Sequence, residues 1–191
     1  KNIYGVPKTA AEYVCRVSHR NQGLPCAVLR TSRFFPEPDD DEARRSAFDA
    51  SNLKVCELLN RRVDLADVVD AHLLAAERAT ALGFERFIVS ATTPFGPDDL
   101  VELRGRAANI VRRHVPAYEA VFAARGWRMP DDIERVYVNR RARDRLGWKP
   151  RRDFARAIDD LAAGRDHRSE LARAVGAKGY HDVAYPDGVF P

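Results

Sequence analysis

The sequence predicts an α/β fold of the doubly wound kind, a parallel sheet beside a mostly helical lobe. Three observations predict it. An amphipathic helix over 4–22 runs directly into a short unbroken apolar stretch at 24–29, the length and continuity of a strand buried on both faces. A second helix, from 65 to about 80, leads in the same way into a second strand at 84–90. The composition, 45% hydrophobic and 31% charged, is that of an ordinary globular chain.

Each element has its local reason. In the first helix Pro7 falls in the first turn, where a missing N–H costs nothing, and Gly23 stands where a helix stops. Ala10, Val14 and Val17 form one apolar stripe, with Tyr4, Lys8, Ala11 and Cys15 along the next. After the first strand a loop over 30–38 carries two prolines and two phenylalanines, and the acidic run 39–42 starts a helix extending towards Asn60. Asp64 is placed to cap the next helix, with Asp67 at the capping-box position and Gly83 at its end. Short helices fill 97–125, broken at Pro116 and ended by Gly126. A brief strand at 135–138 precedes a basic helix at 139–146, and a last helix spans 154–163. Trp127 and Trp148 each follow a glycine and are expected to anchor the small lobe. The tail from Gly176 is expected to pack as an irregular segment.

Composition narrows the function. No apolar run approaches the ~20 residues of a membrane helix, and no charged segment followed by an apolar one opens the sequence. Cys15, Cys26 and Cys56 form no CxxC pair and are expected to be reduced thiols in a cytoplasmic protein. The net charge of +4 suits an anionic partner. The charges are scattered, however, and no nucleic-acid motif accompanies them, so neither nucleic acid nor membrane is an expected partner. Cys15 and His19 share a helix face, but with no second ligand pair nearby no metal site is expected.

The chemistry lies at the start of the chain. Tyr4-Gly-Val-Pro-Lys8 places a phenol and an ammonium four residues apart, neighbours on one helix face. The positive charge favours the phenolate, so the phenol can exchange a proton with a hydroxyl or carbonyl while hydride moves at a nicotinamide. The spacing alone is weak, because a surface tyrosine and lysine meet it by chance.

Four stretches in order strengthen it. Tyr4-Gly-Val-Pro-Lys8-Thr-Ala-Ala-Glu12 is followed by Leu29-Arg30-Thr31-Ser32-Arg33-Phe34-Phe35-Pro36, by Arg62-Val63-Asp64-Leu65-Ala66-Asp67, and by Leu146-Gly147-Trp148-Lys149-Pro150. Together they resemble the C-terminal half of extended short-chain dehydrogenases/reductases, the NAD-dependent epimerase/dehydratase family, over residues 4 to 158. The resemblance implies the C-terminal part of a Rossmann-like parallel sheet. Residues 1–30 would bring the catalytic helix and a strand. Residues 31–191 would form mainly the substrate-binding lobe, with 61–90 returning to the sheet. It implies an NAD(P)-dependent oxidoreductase or epimerase/dehydratase, with NAD or NADP as cofactor and a small polar substrate such as a sugar nucleotide. Tyr4 would be the general acid/base. Lys8 would lower its pKa and bind the nicotinamide ribose, and Thr31 would lie beside the nicotinamide. Arg33, Phe34, Phe35 and Asp64 would face substrate.

The sequence departs from the family pattern at Thr31, Arg33 and Asp64, where a proline, an asparagine and a histidine are usual. Arg33 either takes a carboxylate or phosphate in a bidentate grip or pairs with the acidic run 39–42. A homodimer is a further expectation carried by the resemblance. No glycine-rich turn follows a strand, so the sequence holds nothing to cradle a pyrophosphate. Three explanations stay open: a fragment of a larger enzyme, a second chain that supplies the other half, or a non-catalytic substrate-binding or regulatory remnant.

Overall fold

A computed structural model describes residues 3, 5–36 and 42–176. The start of the acidic run and the tail beyond Gly176, both addressed above, lie outside the described residues.

Helix α1, Gly5–Gln22, ends at Gly23, whose φ of +70° is open to a residue without a Cβ and whose N–H donates to the His19 carbonyl at 2.8 Å. Strand β1 is Cys26–Thr31, starting two residues later than the apolar run because Pro25 has no N–H to give the ladder. It pairs in parallel with β2, Phe84–Val89, from Cys26 opposite Phe84 to Thr31 opposite Val89.

Alternation along these strands assigns their two faces. Arg30 donates to Glu12 of α1 through Nε at 2.7 Å and Nη2 at 2.6 Å, and Phe84 stacks on His19 of α1 with centroids 6.3 Å apart. Cys26, Val28 and Arg30 therefore face α1. Ala27 and Leu29 face the other way, packing with buried Phe87 and Val89 against helix α4, Leu65–Leu82. A parallel pair with a helix on either face is the α/β arrangement that the sequence predicts. The α4 face is the buried one; α1 itself buries no residue.

Asp64 caps α4, its Oδ1 accepting from the Ala66 N–H at 2.9 Å. Asp67 does not close a capping box. Its carboxylate instead accepts from the Arg151 and Arg152 N–H groups at 3.0 and 3.1 Å, because the chain after Trp148 crosses the first turn of α4. Trp148 is likewise displaced from its expected place. It is buried in the sheet's core with Val63, Val68, Phe87 and Leu146, its Nε1 donating to the Asp67 carbonyl at 2.9 Å.

The second core is helical. The acidic run leads into two helices rather than one, α2 (Glu42–Ala47) and α3 (Ala50–Glu57), divided where Asp49 caps α3 through the Ser51 and Asn52 N–H groups. Helices α5 (Leu103–His114), α6 (Tyr118–Arg125) and α7 (Phe154–Ala162) pack Ile110, Val111, Phe122, Phe154 and Ile158 against Val55 and Leu59. The expected strand at 135–138 forms no ladder: Tyr137 N–H donates to the Asn60 carbonyl at 3.0 Å, tying an extended segment to a loop. A wide helical turn, Ala142–Leu146, carries the basic stretch. A short helix that the sequence did not suggest, α8 (Glu170–Val175), follows α7.

Candidate functional site

Three chain segments, only the first of which leaves the sheet, meet past the carboxyl end of β1 and build one site. After β1, Ser32 donates its N–H to the Val89 carbonyl at 2.9 Å, and Arg33 exchanges backbone hydrogen bonds with Arg61 and Val63. This holds the loop over 32–36 beside the residues entering α4. The third segment, 164–169, closes over both. Ser169 N–H donates to Asp64 Oδ2 at 2.9 Å, and Arg152 Nη1 reaches the His167 carbonyl at 3.3 Å.

Between them lies a cavity of about 400 Å³. Phe34 and Phe35 form one side, their ring centroids 4.6 Å apart, and Trp127 contributes an indole. Six of the lining residues are lysine or arginine (Lys54, Arg62, Arg125, Arg152, Arg165 and Arg168) and two are aspartate, Asp64 and Asp166.

The cations are held by a few buried carboxylates. Glu57 takes Arg61 and Arg62 at 2.8 Å each and Arg33 at 3.5 Å. Asp160 takes Arg165 at 2.7 Å, Arg156 at 3.1 Å and Arg152 at 3.8 Å. Burial would raise the Asp160 pKa, yet hydrogen bonds from Arg165 and Arg156 bring it below the usual carboxylate value. Asp166 is gripped by Arg168 through two hydrogen bonds and pulled down to about 2. Of the guanidinium groups that these carboxylates hold, those of Arg62, Arg152, Arg165 and Arg168 line the cavity.

No family model matches this chain. No curated protein matches it either. Among solved structures, UDP-N-acetylglucosamine 4-epimerase from Bacillus cereus is similar at 15% identity with a TM-score of 0.46, over 84% of this chain and 49% of that one. The chain spans about half the length of that enzyme. A likeness this distant says nothing of chemistry, and the α/β class stands on the β1–β2 ladder and its flanking helices.

The expected site residues fall into three groups. Phe34, Phe35 and Asp64 meet in the cavity. Asp64 is buried, with both carboxylate oxygens taken by backbone N–H groups, so it organises the wall from behind. Arg33 lies outside the cavity lining, beside Glu57. Lys8 is exposed on α1, Thr31 is exposed at the end of β1, and Tyr4 lies outside the described residues.

What sequence reasoning missed is the far wall. Arg165-Asp166-His167-Arg168 carries no motif, and only its packing against Asp64 and Arg152 brings it into the site. His167 is partly buried there. Burial first, then the charges of Arg168 and Arg62, lower its pKa against the opposing pull of Asp166 and Asp64. Such a surface can bind an anion by charge and hydrogen bonds, and an aromatic or sugar ring by stacking. Among the described residues no three metal-ligating side chains come together, and no helix is long and apolar enough to cross a membrane.

Proposed function

We propose that this chain supplies the catalytic helix and substrate cavity of an NAD(P)-dependent oxidoreductase or epimerase/dehydratase acting on a sugar nucleotide. The observation carrying this reading is the cationic, aromatic-sided cavity just past the carboxyl end of β1, the place where open α/β sheets bind ligands. Its arginines suit a diphosphate, and Phe34, Phe35 and Trp127 suit a base or sugar ring.

The reacting group is Tyr4, which takes a proton from a substrate hydroxyl or returns one to a carbonyl. Lys8, four residues on in the sequence, favours the phenolate by its charge. The nicotinamide cofactor, when bound, supplies or accepts the hydride. Lys8 and Thr31, both exposed, are the residues here that would touch it. The 191 residues hold no glycine-rich turn that would cradle its pyrophosphate.

The test is fluorescence titration of NADH and NADPH with the protein as the cell makes it, followed by assay of a Tyr4→Phe variant. The proposal expects saturable cofactor binding, and turnover abolished in the variant while the fold is kept. Full activity in the variant would refute the role of Tyr4. The missing glycine-rich turn favours a second reading, a non-catalytic binding module, and binding of uridine diphosphate without any cofactor binding would establish that one instead.

A further inference from the structure

Two cysteines lie on facing surfaces of α1 and β1. Glu12, Cys15 and His19 follow one another at three- and four-residue spacing and so share one face of α1. That face is turned to the sheet at both ends: Glu12 binds Arg30, and His19 stacks on Phe84 while its Nδ1 meets the Leu24 carbonyl at 2.9 Å. Cys15 lies between these anchors. On the strand, Cys26 shares the α1-facing side with Arg30 and stands opposite Phe84 in the ladder. The two thiols lie close enough to influence each other's protonation, and both are partly exposed.

We propose that Cys15 and Cys26 form a redox-responsive dithiol that closes to a disulfide between the helix carrying Lys8 and the first strand of the sheet. Burial, then the neighbouring Cys15, pushes the Cys26 thiol up, so the first attack is assigned to the Cys15 sulfur and Cys26 is the resolving thiol. Hydrogen peroxide is the oxidant. The Cys15 sulfur attacks one peroxide oxygen, the O–O bond breaks, the leaving hydroxide takes the Cys15 proton and departs as water, and a sulfenic acid forms. The Cys26 sulfur then attacks the Cys15 sulfur, the S–O bond breaks, and the oxygen departs as water with the Cys26 proton. Both sulfurs are oxidised, and one peroxide is reduced to two waters. Cys56 takes no part, because burial raises its pKa far above the ordinary thiol value and it lies in the helical core.

The experiment is to treat the native protein with dilute hydrogen peroxide, unfold it, titrate the remaining thiols, and map disulfide-linked peptides before and after reduction. The expected result is a fall from three thiols to one, with a Cys15–Cys26 link within one chain that reductant reverses. A Cys56→Ala variant should form the same link. Recovery of Cys15 and Cys26 as free thiols, as separate oxygen adducts, or linked between two chains would overturn the inference. None of these readouts depends on cofactor or substrate binding.

Discussion

His167 shows how one residue couples the cavity to pH. Its imidazole is half enclosed by the 164–169 segment, with Asp166 and Asp64 pulling towards the cation and Arg168 and Arg62 pushing against it. Because burial outweighs the carboxylates, its folded pKa lies below the ordinary value of about 6.5. The unfolded chain therefore takes up the proton first. Stability is full above about pH 6.5 and declines as pH falls through the unfolded pKa towards the folded one. Urea denaturation of the native chain and of His167→Gln across pH 5 to 7.5 should show the native chain losing more stability over that window. Parallel curves would contradict the assignment. Asp166 acts further down the scale, its contribution present above the ordinary carboxylate pKa and lost as pH falls towards 2.

At the scale of elements, Asp67 is the tie between layers. It is buried at 1% exposure and accepts two backbone N–H groups from the segment leaving Trp148, whose indole in turn bonds the Asp67 carbonyl. Asp67→Ala would leave two donors without a partner, and we expect a loss of about 3 kcal/mol in urea denaturation. A loss under about 1 kcal/mol would mean water replaces the carboxylate. This residue also marks a limit of sequence reading. Its spacing from Asp64 fits a capping box, and nothing local says that a segment more than 80 residues away will claim it. Trp148 was misplaced for the same reason, since Gly-Trp fixes a buried aromatic but not which core receives it. Elements set by local rules were legible, among them the Gly23 and Gly83 stops, the Asp64 cap and both strands. The helix break at Asp49 was not read, although a local cap causes it.

For the whole molecule, the sheet and the helical lobe meet at a cavity whose two sides differ greatly in how visible they are in sequence. The near side, Phe34, Phe35 and Asp64, sits in stretches that read as motifs. The far side, Arg152 and the 165–168 segment, carries no periodicity and no motif; its place follows from long-range hydrogen bonds to Asp64 and His167. The cluster of arginines around the cavity forms only when these sides meet. That cluster is the basis for the proposed sugar-nucleotide substrate.

The most direct measurement is a calorimetric titration of uridine diphosphate into the protein at low and moderate salt, repeated with Arg165→Ala. The account predicts saturable binding that weakens as salt rises, and about a tenfold loss of affinity in the variant, the order expected for one charged hydrogen bond. No binding at low salt, or binding indifferent to both salt and Arg165, would contradict it.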